Sequence, residues 1–363
     1  MKLVLVSPFN PYDIKIFSGT LYFMTRALRE RFDIVAEYME IEGDEMLNKY
    51  LSKDNIKADY IIFMVCFKPI KSYNYNIPAV YWHDSTWHTY LHGYENRDNF
   101  SNFKLKNREL YLYDKMAAAK FDLLVYSSNY VAEACVRDYK VNSEKVKVIP
   151  FGANIFAPPP INALIKFLSE RMNSDTLNLL FLGCDWERKG LGSAVQLAAN
   201  LNSMGIKTIL NVVGCELTHE TYNFPYVIKW GFLNKADSDQ LGVLLKIFQK
   251  SHFIVHPALS EPFGIALCEA NAYGIPIIGT DVEGLKTIVK HGKNGYLFSR
   301  ESFVEDASSL VKGIFLDMAK NYIPLFDNSL LEYNSRLNWA SSTKKLEEEL
   351  MKMTMERTFP ALS

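Results

Sequence analysis

Nowhere in the 363 residues do about 18 uncharged apolar residues run together, the length a membrane-crossing helix needs. The opening Met1-Lys2-Leu3-Val4-Leu5-Val6-Ser7-Pro8 is too short for the apolar region of a secretory leader and lacks a small-residue cleavage site. A surplus of charge is missing too. The 40 Lys and Arg against 41 Asp and Glu leave a net charge of −1, which argues against a dedicated nucleic-acid binder, because neutralising phosphates takes a basic excess. Cysteines are few, odd in number and scattered: Cys66, Cys135, Cys184, Cys215 and Cys268. With no CxxC pair, neither a zinc ribbon nor a disulfide framework is expected, and reduced, mostly buried thiols in a cytoplasm fit best. Also absent is a GxGxxG after any strand. Gly183, Gly190 and Gly192 have the wrong spacing, which disfavours a nicotinamide dinucleotide.

What remains is an ordinary core-forming composition, 48% hydrophobic and 22% charged. At ~150 residues per domain the length predicts about two domains. Apolar runs at Leu3–Ser7, Asp33–Glu37, Tyr60–Val65, Ala79–Trp82, Leu123–Tyr126 and Val146–Ile149 read as strands. Leu21, Met24, Ala27 and Leu28 recur at helical spacing, a polar loop follows from His83, and a second helix is expected from Ser128 to about Asp138. Pro158-Pro159-Pro160 cannot continue a helix or strand interior and marks a linker, with a short polar helix between it and residue 175. The pattern then restarts, with strands at Leu177–Leu182, Thr208–Val213, Val227–Trp230, Phe253–His256 and Pro276–Gly279. Helices are expected through Val195–Leu201, near Gln240–Lys250 and from about Gly264 to Tyr273. Trp339 to Met353 reads as one amphipathic helix. Alternating strands and helices indicate parallel α/β units. The expectation is an N-terminal Rossmann-like domain over 1–156, a second over 157–340, the two facing a cleft, and a terminal helix and tail over 341–363 that crosses back to the first.

The richest segment is His256-Pro257-Ala258-Leu259-Ser260-Glu261-Pro262-Phe263-Gly264-Ile265-Ala266-Leu267-Cys268-Glu269-Ala270. A strand ends at His256, a loop holds Glu261, and a helix begins near Phe263 and Gly264. A helix start offers unpaired N–H groups and the positive end of the dipole to an anion, and Gly264 has no side chain to obstruct its approach. Glu269 lies roughly 8 Å along the axis, at ~1.5 Å per residue. A carboxylate there does not favour phosphates but suits a neutral diol such as a ribose. Glu261 is placed for hydroxyls on the other side of a diphosphate. The bland reading is two surface glutamates near a helix start.

Ser260–Glu269 resembles the E-x7-E motif of retaining glycosyltransferases of family 4, which have the GT-B fold. Ala270-Asn271-Ala272-Tyr273-Gly274-Ile275-Pro276-Ile277-Ile278 looks like that family's next stretch, and Lys293-Asn294-Gly295-Tyr296-Leu297 its downstream turn. Val148 to Asn154 is similar to the end of its first domain, Phe181-Leu182-Gly183 with Arg188-Lys189-Gly190 to its diphosphate loop, and Trp230-Gly231-Phe232 to the loop near the base. The matches keep the family's order from about residue 148 to 298.

The resemblance implies transfer of a sugar from a nucleotide-diphosphate sugar to an acceptor hydroxyl with retained configuration, in glycan or glycoconjugate biosynthesis, without a cofactor or metal. It implies Lys189, Glu261 and His83 as catalytic residues, and Gly19, Arg188, Lys189, Phe263, Gly264, Ile265, Glu269 and Gly231 at the donor. Lys189 would stabilise charge growing on the leaving diphosphate. The acceptor stays open among saccharides, lipid-linked and protein glycans. Asp84 competes with His83 for the sugar contact, and capping by Ser18 or Thr20 competes with the reading of Gly19. Two departures stand out. Cys184 sits where the family often has Arg, with Arg188 nearby as a substitute. Glu283 precedes Gly284 where a Gly-Gly pair is common, and either shapes the acceptor pocket or points outward. Lys104, Lys106, Arg108, Lys115 and Lys120, with Leu105, Tyr111, Leu112 and Met116, make a basic, partly amphipathic segment. It fits an anionic acceptor, peripheral contact with the inner face of a membrane, or a solvated helix face. A nucleotide-sugar binding protein of weak activity and a sugar-nucleotide epimerase are the rival readings.

Overall fold

The computed structural model describes residues 1–41, 44–53, 56–65, 76–94, 108–215 and 222–359. Two compact units emerge: Met1–Gly152 with Arg336–Ser363, and Ala153–Ser335. The division falls between Gly152 and Ala153, so Phe156–Pro160 belongs to the second unit. Among the described residues no helix is long and apolar enough to cross a membrane.

The first unit is built on a parallel sheet of β1 (Lys2–Val6), β2 (Asp33–Tyr38), β3 (Tyr60–Met64), β4 (Ala79–His83), β5 (Leu123–Tyr126) and β6 (Val146–Val148), in the order β2-β1-β3-β4-β5-β6. Strands β3, β4 and β5 are buried along their whole length, as apolar runs covered on both faces should be. The helices are α1 (Thr20–Arg31), α2 (Asp44–Lys53), α3 (Trp87–Tyr94), α4 (Arg108–Lys120) and α5 (Asn129–Ala134). In α1 the expected Leu21, Met24, Ala27 and Leu28 are all buried. α5 is capped by the Ser128 hydroxyl and runs on as a wider turn over Cys135–Tyr139.

The polar stretch after His83 is not all loop. Thr86 and Thr89 exchange caps, each backbone N–H donating to the other's hydroxyl at 2.9 and 3.0 Å, and this starts α3. The basic segment is described from Arg108 onward, where it is a largely solvated helix. Lys104, Leu105 and Lys106 lie outside the described residues. Within α4 the buried side chains are Asp114, Ala117 and Ala118, while Leu112 and Met116 are 41% and 51% exposed.

The second unit contains α6 (Ile161–Met172), β7 (Leu177–Leu182), α7 (Leu191–Ser203), β8 (Thr208–Val213), β9 (Val227–Gly231), α8 (Ser238–Lys250), β10 (Phe253–His256), α9 (Ile265–Ala272), β11 (Ile277–Thr280), α10 (Leu285–Ile288), β12 (Gly295–Phe298), α11 (Phe303–Leu316), α12 (Met318–Asn321) and α13 (Ile323–Arg336), whose last residue joins the first unit. Its strands, all parallel, are ordered β12-β11-β10-β7-β8-β9. Residues 295–297, expected in a turn, open β12. Gly295 is pressed so closely on β11 that a Cβ would lie 2.3 Å from the Ile277 carbonyl oxygen.

Buried Arg171, on α6, ties this unit together. Its guanidinium donates to the Phe248 and Gln249 carbonyls at 3.0 and 3.1 Å and to the Tyr273 and Gly274 carbonyls at 3.1 and 3.3 Å. A cation thus sits at the C-terminal ends of α8 and α9, where the helix dipoles favour it. Burial, with Arg171 nearby, lowers the neighbouring His252 pKa to about 4, so that imidazole is neutral.

The last helix, α14 (Trp339–Thr358), packs on the first unit. Gly152 makes room for it, since a Cβ there would lie 2.1 Å from the Trp339 nitrogen. The Trp339 ring stacks on Phe151, and Arg31 meets Glu347 at 2.9 Å.

Candidate active site

The strand order of the second unit runs outward in both directions from the β7–β10 pair. In open α/β sheets such a reversal leaves a crevice beyond the carboxyl ends of the two strands, the usual place for a ligand. The loop after β7 carries Arg188 and Lys189, and the loop after β10 carries Glu261. Glycine lets these loops touch. Gly190 has φ +74°, and a Cβ on it would lie 2.0 Å from the Pro257 carbonyl oxygen. The Leu259 N–H donates to the Arg188 carbonyl at 2.7 Å across the same contact.

Glu261 is the centre of the side-chain cluster that these loops form. One carboxylate oxygen receives Lys189 Nζ at 2.9 Å and the His256 Nε2–H at 3.0 Å. The Arg188 guanidinium lies 3.6 Å from it and donates to the Ser260 carbonyl at 2.8 Å, while its Nε holds Asp185. Burial alone would raise the Glu261 pKa. Lys189, the His256 hydrogen bond and Arg188 outweigh it and hold the carboxyl well below the usual range. Burial pushes His256 down, so the imidazole is neutral and serves as a donor. The result is a buried, ionised carboxylate fixed by two donors with a guanidinium close by, suited to accepting hydroxyls.

Glu269 lies in α9, whose N-cap is Gly264 at φ +95°. Phe263 is buried, and Ile265 opens the helix. Glu269 is buried and bound to Lys235 Nζ at 2.5 Å, and the same ammonium donates to the Asn154 carbonyl at 3.0 Å. Burial raises the Glu269 pKa against the pull of Lys235. Gly231 ends β9 with φ +66°, its carbonyl accepting from the Gly214 N–H, and its neighbours Trp230 and Phe232 are exposed.

Within the first unit, Gly19 is buried and is itself the left-handed cap of α1, so neither Ser18 nor Thr20 takes that position. Phe17, Ser18 and Gly19 form three successive positive-φ residues, a backbone rarely kept without cause. His83 is buried at the end of β4. Its Nδ1 accepts the Ser85 N–H at 2.9 Å. Asp84 Oδ1 lies 3.0 Å from the same Nδ1, and the Asp84 side chain is more exposed than the imidazole.

Sequence reasoning missed His256 as the partner of Glu261, and Lys235 altogether. The first stands in the same segment as Glu261. The second sits in a polar stretch with no signal of its own, and only the fold brings it to Glu269. Of the cysteines, Cys135, Cys215 and Cys268 are buried free thiols, Cys184 is exposed, and Cys66 lies outside the described residues.

Residues 166–321 match the family model described as glycosyl transferases group 1. The matched span lies wholly within the second unit. Lys189, His256, Glu261 and Glu269 all fall inside that span. The whole chain is similar to solved structures of the same fold. A sucrose-phosphate synthase from Thermosynechococcus elongatus aligns at TM-score 0.70 and 16% identity over 98% of this chain and 99% of that one. Anabaena HepE, solved in complex with UDP and glucose, aligns at TM-score 0.62 and 18% identity over 97% and 99%. The fold is GT-B, with two Rossmann-like domains. Among curated proteins, a D-inositol 3-phosphate glycosyltransferase of Corynebacterium diphtheriae is 23% identical over 240 residues, 62% of this chain and 55% of the relative. The chain spans about half the length of the curated relatives it matches.

Proposed function

We propose that the chain is a retaining glycosyltransferase of family 4 that moves a sugar from a nucleotide-diphosphate sugar to an acceptor hydroxyl. The observation that carries this reading is the convergence of Lys189, Arg188 and His256 on Glu261 beyond β7 and β10, with α9 leading from that loop to Glu269. In the proposal, Lys189 and the backbone N–H groups of Phe263, Gly264 and Ile265 hold the diphosphate, Glu269 takes the ribose hydroxyls, and Glu261 takes the sugar. Gly231 borders the base.

The chemistry follows from charge. As the glycosidic bond breaks, the diphosphate gains negative charge, and a fixed ammonium stabilises that state more than the ground state. The departing phosphate accepts the acceptor's proton on the face it leaves, which keeps the configuration and needs no separate protein base. A UDP-sugar is the first donor to try, since the Anabaena neighbour was solved with UDP and glucose. The acceptor is proposed to be a saccharide or a lipid- or protein-linked glycan, and the setting the cytoplasm, in keeping with the buried free thiols.

The test is a panel of UDP- and GDP-sugars incubated with the chain in the absence of acceptor, read as nucleoside diphosphate released. Slow release from one or a few donors, inhibited by the matching diphosphate, is expected. No binding of any nucleotide by a folded sample would end the proposal.

A further inference from the structure

We propose that Glu283 is a positioning residue that works through Glu261, anchoring the backbone of the Glu261 loop so that its carboxylate is presented to the donor sugar. The anchoring stands on geometry, and its consequence for the sugar rests on the function proposed above. Glu283 lies between β11 and α10 with φ +39°, in the left-handed region that disfavours any residue with a side chain. Its carboxylate turns back across the loop. Oε2 accepts the Ser260 hydroxyl at 2.7 Å and the Glu261 N–H at 2.8 Å. The next residue completes the grip, with the Gly284 N–H donating to the Glu261 carbonyl at 3.1 Å. Gly284 itself is packed so tightly that a Cβ would lie 1.7 Å from the Pro262 carbonyl oxygen.

Both peptide groups of Glu261 are therefore held by the Glu283-Gly284 pair, while its side chain is held by Lys189 and His256. The sequence left open whether Glu283 shapes a pocket or points outward; its carboxylate in fact faces the Glu261 loop. A glycine at 283 would sit more comfortably at φ +39° but has no acceptor to offer. Strain at this position thus accompanies a polar anchor that the less strained residue could not supply.

This separates positioning from folding. Glu283→Gly relieves the backbone and removes the anchor, whereas Glu283→Gln keeps an acceptor oxygen. In the full chain, amide exchange in a peptide covering 258–264 is expected to speed up by about tenfold or more in Glu283→Gly and to stay near wild type in Glu283→Gln. With UDP and UDP-glucose as first probes, Glu283→Gly should lower the turnover of donor hydrolysis by about tenfold while the UDP Kd stays within about twofold, and Glu283→Gln should recover most of the loss. Unchanged exchange in Glu283→Gly overturns the anchoring. Faster exchange with wild-type turnover overturns the positioning role. A wild-type chain that neither binds a nucleotide nor releases one from any donor overturns the link to the sugar along with the proposed function, and the exchange measurement then decides the anchoring by itself.

Discussion

Replacing Lys235 by methionine removes the cation paired with buried Glu269. The ammonium lies 2.5 Å from the carboxylate, the Glu269 side chain is 3% exposed and the Lys235 side chain 17%. Removing one partner of a buried pair costs about 3–5 kcal/mol, and the partial exposure of Lys235 places this pair near the lower end, about 3 kcal/mol. For a unit of this size each kcal/mol shifts Tm by about 2–4 °C, so a fall of roughly 6–12 °C is expected for the second unit. The effect carries a sign in pH. Burial raises the Glu269 pKa, and losing Lys235 raises it further. A carboxyl whose folded pKa is raised contributes stability that is full below its unfolded pKa and is lost as pH climbs through the folded value. The deficit of Lys235→Met relative to wild type should therefore be small near pH 5 and grow toward pH 8. Thermal unfolding across that range, repeated in a Glu269→Gln background where the cost should shrink, closes the cycle. A deficit independent of pH, or one undiminished in the Glu269→Gln background, refutes the reasoning.

Three further outcomes are expected. Arg171→Met leaves the carbonyls of Phe248, Gln249, Tyr273 and Gly274 without their shared donor and should cost about 2–4 kcal/mol in urea unfolding, and wild-type stability would show that water replaces the guanidinium. Gly190→Ala and Gly205→Ala both sit at positive φ, but only the first meets a wall. Gly205→Ala should cost about 1 kcal/mol and spare nucleotide binding, whereas Gly190→Ala should displace the Pro257 loop and weaken UDP, and equal effects of the two would refute the close-approach argument. Glu269→Ala should weaken UDP by roughly ten- to a hundredfold in calorimetry, the size of a charge-assisted hydrogen bond, and unchanged affinity in a folded variant removes the ribose assignment.

Much of this fold is legible in the sequence because buried parallel strands leave a plain mark. Tyr60–Met64 and Phe253–His256 are short apolar runs and appear as strands within a residue of expectation. Elements without that mark were not anticipated. α3 starts on an exchange of caps between Thr86 and Thr89, and the stretch reads as loop because its residues are polar. β12 begins at a glycine whose role is set by its approach to Ile277. In the site, Lys189, Glu261 and Glu269 stand out through motif spacing. Lys235 has no local signature, since its partner is 34 residues away and the pairing exists only once β9 and α9 have been placed. The orientation of Glu283 was equally hidden, because the same residue at an ordinary φ would point elsewhere.

In the proposed reaction a sugar nucleotide binds beyond β7 and β10, and Lys189 stabilises the leaving diphosphate. Steady-state release of UDP from the preferred donor by wild type and Lys189→Met tests it most directly. A fall in kcat of about a hundredfold is expected in a variant that remains folded. A folded Lys189→Met with wild-type kcat, whatever its KM, would contradict it.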